Sequence, residues 1–243
     1  MRLRFATFGR ATLAVSATLL LLACLAAPAL AAKVTLLQRP VEVKHPGQTK
    51  WQPLNVGDSV NEGDSIRSGA GARAEITIAE KRVFRIGEAS EITLDKLLLK
   101  DADMQGKVRV LLGRVWSSIL TPLRAGREEE YVVATPTATL GVKGTRFDVN
   151  YNGKTKAMQS TVFEGKVVVN PTKEPAGPPT EIAGPRQIAP PQAITRQEWE
   201  LLVSANQKLI FLPGQDPKVV PITNEDRQDE WVKFNDARDA EIR

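Results

Sequence analysis

The chain has 243 residues, with 33 Lys or Arg against 28 Asp or Glu, one His and a formal charge of +5. That length fills one core and leaves room for an appendage. Without Arg2, Arg4 and Arg10, which belong to a leader, the 33 basic residues fall to 30 against 28 acidic ones, a charge near +2, so composition gives no case for nucleic acid as a partner.

Residues 1–31 read as a secretory signal. A basic start precedes the apolar run 11–25, and Ala26-Ala27-Pro28-Ala29-Leu30-Ala31 closes it with cleavage after Ala31, which directs the chain to the periplasm. The only cysteine, Cys24, lies inside that segment, so the processed chain has no thiol, disulfide or thiolate metal ligand. Leu21-Leu22-Ala23-Cys24 resembles a lipobox, and the alternative is a membrane-anchored lipoprotein with Cys24 lipidated. Contact with a membrane is expected only in that case or if the signal is retained.

From 33 to 170 the sequence predicts an all-β domain of short strands punctuated by glycine turns. Alternation in 74–78, 82–86, 91–94 and 108–112 carries this expectation. A helical turn at 95–99 is too short to set against it. Gly57-Asp58-Ser59-Val60 is repeated six residues later as Gly63-Asp64-Ser65-Ile66. Such a motif holds a nucleophilic serine in some hydrolases, but serine needs a base within reach. The single histidine, His45, lies upstream of both copies, so the pattern reads as a turn entering a strand, written twice. Asp58, Glu62 and Asp64 lack the ligand spacing of a calcium loop. No catalytic residue, metal or cofactor is expected.

In residues 146–151 Phe147, Val149 and Tyr151 share one face and Arg146, Asp148 and Asn150 the other, after which Asn152-Gly153 predicts a tight hairpin. Residues 171–194 hold seven of the 16 prolines and read as an extended linker or strap. The segment 195–243 is expected to be a helical extension. Thr195-Arg196-Gln197-Glu198 has the form of a capping box, and Trp199, Leu202, Val203, Leu209 and Ile210 fall on one helical face. That face either docks on the β domain or is offered to a partner. A second helix is expected from about 225 to 240, with Trp231 and Phe234 as its apolar contacts.

Residues 134–149, ATPTATLGVKGTRFDV, resemble the signature of the FecR domain, a Thr-Pro segment followed by Val-Arg-Gly-Thr and an aromatic strand. Lys143 stands where arginine is usual. Trp51, Leu54, Gly57 and Gly63-Asp64 are similar to the family's first half, and Gly113 with Phe163-Glu164-Gly165 to its later turns. The resemblance implies a periplasmic, non-enzymatic module of short strands, solenoid-like or sandwich-like. In iron-transport regulators of that family a cytoplasmic segment contacts a sigma factor; only ten residues precede the apolar run here, so direct sigma regulation is not expected. Thr145 is expected to bond a neighbouring amide. Lys143 and Arg146 belong either to a buried sheet corner or to a cationic patch for an anionic partner. The expectation is a binding or scaffold module for an envelope protein or polymer, or alternatively an accessory component of envelope signal transduction, with Lys143, Arg146, Trp199, Leu202 and Val203 as contact residues.

Overall fold

A computed structural model describes residues 32–79, 82–100, 103–119, 130–172 and 201–242. Residues 1–31 with Cys24, the segment 173–200 with Trp199 and the capping box of 195–198 lie outside the described residues. The described chain is predominantly β, as the alternation predicts, with two helices at its C-terminal end.

Among the described residues, fifteen strands are hydrogen-bonded into one sheet that folds over on itself. Three long strands make this possible: β9 (Asp103–Ile119), β11 (Ala138–Tyr151) and β12 (Met158–Pro171). Their outer halves lie in different layers. In the first layer the order is β3 (Gln52–Pro53), β2 (Val41–Lys44), β5 (Ser65–Ser68), β8 (Glu91–Lys100), β9, β10 (Glu130–Ala134), β11, β12 and β13 (Leu201–Ser204). In the second it is β4 (Ser59–Val60), β1 (Ala32–Gln38), β6 (Arg73–Ala79), β7 (Arg82–Ile86), β9, β11, β12, β14 (Gln207–Phe211) and β15 (Lys218–Pro221). Inward side chains of both layers meet in one core. Ile66, Ile92, Val110, Leu140 and Val167 come from the first layer, and Ile76, Phe84, Phe147, Val149 and Leu209 from the second. Each is fully buried, so each contributes about 2 kcal/mol of transfer free energy.

Glycines let the long strands change layer. Gly113 has φ +89°, and a Cβ there would fall 2.1 Å from Ser90 Oγ. Ser90 Oγ also accepts from the Arg114 amide at 2.9 Å, so the close approach locks β9 against the turn before β8. Gly165 has φ +82°, and its Cβ would fall 2.5 Å from Thr145 Cγ2 and 2.6 Å from the Gly144 carbonyl oxygen. The bends of β11 and β12 nest there. The Thr145 hydroxyl, expected to bond an amide, has no hydrogen-bond partner in the described structure; the residue packs through its methyl group.

Residues 95–99 continue β8, in keeping with the all-β reading. Two expectations are corrected. The connection after Tyr151 is a six-residue loop rather than a two-residue hairpin. In it Lys156 rather than Gly153 takes positive φ, and Asn152 Oδ1 accepts from the Lys154 and Thr155 amides at 2.9 and 3.1 Å. The helix expected from 195 is absent from 201–211, which form β13 and β14, both paired to β12. Strand alternation puts Val203 and Leu209 in the core and leaves Leu202 55% exposed, so Leu202 and Val203 do not share a face. The edge of β12 offers unpaired backbone groups on both sides of its bend, and satisfying them outweighs a modest helical stripe. The expected second helix is present as two pieces, α1 (Asn224–Gln228) and α2 (Glu230–Ile242). Thr223 caps α1 in a reciprocal box with Asp226.

Gly113→Ala is expected to cost about 3 kcal/mol, combining overpacking against Ser90 with a disfavoured φ. Urea denaturation measures it; a loss within about 0.5 kcal/mol contradicts this account of the β9 bend.

Candidate functional site

The repeated Gly-Asp-Ser is built as two copies of one turn. The Asn55 amide donates to Asp58 Oδ2 at 2.7 Å and the Asn61 amide to Asp64 Oδ2 at 2.8 Å. The Asp58 and Asp64 amides return to the Asn55 and Asn61 carbonyls, both at 3.2 Å. Gly57 and Gly63 take φ +93° and +86°, and Val60 and Ile66 then enter the core. His45 Nδ1 lies 2.7 Å from Oδ1 of the buried Asp64. Ser65 Oγ lies 3.3 Å from Thr93 Oγ1, and Ser59 is exposed. The aspartates brace turns; among the described residues neither serine is paired with a base. Among the described residues no three His, Cys, Asp or Glu side chains are grouped to hold a metal ion.

The chemically dense region lies on the outer face of the second layer. Strand register sets a transverse row there. Glu75 stands opposite Arg85, Arg85 opposite Trp116, Trp116 opposite Asp148, Asp148 opposite Thr161 and Thr161 opposite Lys208. Each occupies the outward phase of a strand whose inward phase is apolar, because successive side chains alternate faces. Five of the six nevertheless are buried, because the C-terminal tail covers them.

The tail meets the row residue by residue. Arg238 Nη2 donates to Glu75 at 2.8 Å. Arg85 donates through Nε to Glu75 at 2.6 Å, and through Nη1 to Asp239 at 2.6 Å and to Asn235 Oδ1 at 3.3 Å. Trp116 Nε1 donates to the other Asp239 oxygen at 3.1 Å, and Trp231 Nε1 donates to Asp148 at 3.0 Å. Arg114 joins Asp148 to Asp229 by bonds of 2.9 to 3.0 Å. Lys208 meets Asp226 of α1 at 2.6 Å. The apolar share of the seat is small: Trp116, Phe163, Trp231 and Val232, with Ile222 and Phe234 at the margin. Arg73 lies 4.6 Å from the Phe234 ring centre, a cation–π contact at the edge.

Proton affinities follow from these contacts. Burial pushes the Glu75 carboxyl up, but hydrogen bonds from Arg238, Arg85 and Thr35 together hold it below its ordinary value of 4.5. Asp148 goes the other way, because complete burial outweighs Arg114 and Trp231 and raises it. Burial disfavours charged Arg114, yet Asp148 and Asp229 more than compensate.

Of the contact residues expected from sequence, Arg146 enters this seat and donates to Asp236 at 3.1 Å. Lys143 stands opposite Lys166 just before the bend in β11. Val203 is in the core and Leu202 is on the open face of the first layer. Glu75, Arg85, Trp116, Asp148 and Asp239 escape sequence reading, because period-2 alternation assigns outward charges to solvent. A tryptophan on the outward phase at 116 is the one signal that this face is covered.

Residues 64–168, under half of the chain, match the family described as FecR protein, so the all-β body carries a FecR-domain region. Five of the six row residues, from Glu75 to Thr161, lie within the matched residues; Lys208 and the tail that covers the row lie beyond them. No curated protein matches the chain. Two crystal structures of a proposed anti-sigma factor from Parabacteroides distasonis are similar at 14% identity, with TM-scores of 0.44 and 0.45. Each match covers 65% of this chain and 59% of the other, so the chain spans under two thirds of those proteins.

Glu75 gives a signed pH prediction. Its depressed value means that its contribution is complete above pH about 4.5 and is lost as pH falls through the folded-state value, whereas protonation of Asp148 opposes acid unfolding. Glu75→Gln is therefore expected to cost about 3 kcal/mol near neutrality. Denaturant titrations at each pH should show the gap from the parent protein narrowing below pH about 4.5; a constant gap contradicts the assignment.

Proposed function

We propose that this FecR-domain chain is a non-enzymatic component of cell-envelope signal transduction, an accessory that contacts a sensor or transport protein on the periplasmic side. The single observation behind this reading is the FecR match over 64–168. Export with cleavage after Ala31 belongs to the same proposal, because the basic start, apolar run and Ala-x-Ala close lie in that order in 1–31.

The open face of the first layer is the contact surface in this reading. Leu202 on β13 is 55% exposed there, and Trp51 lies between Lys44 and Arg67, at 4.8 and 4.4 Å from its ring centre. Lys143 belongs to the same layer, two strands from β13, and Trp199 precedes that strand by two residues. A half-buried tryptophan between two cations and an exposed leucine suit a protein partner. Val203 supports this surface from the core, whereas Arg146 belongs to the tail seat on the other layer.

A photo-crosslinker at Leu202 in living cells, combined with transcript profiling of a deletion strain, tests the proposal. It expects one envelope protein captured at that position and a set of transcripts altered by deletion and restored by the full chain. Unaltered transcripts, with crosslinks to envelope polymer alone, would make the chain a scaffold instead.

A further inference from the structure

We propose that the cleft between α1 and the outer face of β9, β11 and β12 binds a neutral saccharide unit. The cleft has a volume of about 280 Å³; Asn150, Gln159, Thr161 and Phe163 line it together with Arg114 and four carboxylates, Asp148, Glu225, Asp226 and Asp229. This proposal goes beyond the signalling reading and does not depend on it.

The charges around the cleft are engaged with one another. Arg114 bridges Asp148 and Asp229, and Asp226 is paired with Lys208. An ionic ligand would have to compete with those pairs. The polar groups left over are mostly uncharged. Asn150 and Gln159 stand directly opposite each other on β11 and β12, and among the described residues neither carboxamide is hydrogen-bonded. Thr161 is 3% exposed, lines the cleft, and its hydroxyl likewise has no partner among the described residues. Arg114 Nη2 makes none of the four bonds of that guanidinium to Asp148 and Asp229.

These groups specify a chemistry. Two planar amides, a hydroxyl and one guanidinium nitrogen provide interleaved donors and acceptors, the complement of adjacent sugar hydroxyls. Glu225 adds an acceptor at the rim. Phe163 supplies an apolar surface for the C–H face of a sugar ring, and is itself held by Trp116 at 4.9 Å between ring centres. The volume lies just below the usual range for drug-sized ligands, which suits one or two sugar units. Because α1 forms a wall, a bound saccharide would favour the docked tail by mass action.

Amide-resolved NMR titration of the exported chain with glucose, N-acetylglucosamine and maltose at millimolar concentrations tests the site, with glycine and inorganic phosphate as ionic controls. Saturable shifts at Asn150, Gln159 and Thr161 are expected with at least one saccharide. Thr161→Val, and separately Gln159→Ala, should each weaken that binding about tenfold while melting temperature stays close to the parent's. No saturable shift with any of the three sugars, or saturation by glycine or phosphate instead, overturns the proposal, as does undiminished binding in both variants.

Discussion

Arg85 is buried on the outer face of a sheet between two buried carboxylates, Glu75 beside it and Asp239 above it. The placement of everything after β15 depends on that arrangement. Removing two or three charged groups from water is expensive, and their mutual attraction returns little net stability compared with an apolar seat. Their effect is directional. A helix held by Trp231 and Val232 alone has many orientations of similar energy, whereas one that must bring Asp239 to Arg85 and Trp116, and Arg238 to Glu75, has one. Charge and register, more than apolar area, seat the tail.

The row exists because the sheet beneath it is pinned. Glu75, Arg85, Trp116 and Asp148 line up only while β6, β7, β9 and β11 keep their pairing, and a slip of one residue would turn each to the core. The bends at Gly113 and Gly165 guard that register, since each glycine sits against a neighbour too near for a side chain. The shared core then fixes both layers at once, with the Ser117 and Tyr131 hydroxyls 3.4 Å apart across the interior. Seating of the tail on one face is therefore coupled to the packing of the whole β body.

Much of this was legible in the sequence, and what was not has physical causes. The alternation of Phe147, Val149 and Tyr151 against Arg146, Asp148 and Asn150 gives both the strand and its inward face. It does not say what covers the outward face, since that is decided by residues some 80 positions later, such as Trp231 bonding Asp148. Leu202, Val203, Leu209 and Ile210 fit a helical stripe and a pair of strands equally well; the free edges of β12 decide for strands. Asn152-Gly153 signals a two-residue hairpin, but Asn152 uses its side chain to cap two amides, which lengthens the loop. The cleft residues Asn150, Gln159 and Thr161 carry no sequence signal, because only register brings them together.

The most direct measurement of this account is a double-mutant cycle between Arg85→Met and Asp239→Leu, read by equilibrium denaturation. If the buried pair seats the helix, each single change strands one charge and costs about 3 kcal/mol or more, while the double change costs far less than their sum. The coupling is then expected to be about 2 kcal/mol or larger. Losses that add to within about 0.5 kcal/mol would mean that the two groups act independently and that something other than their pairing holds the tail.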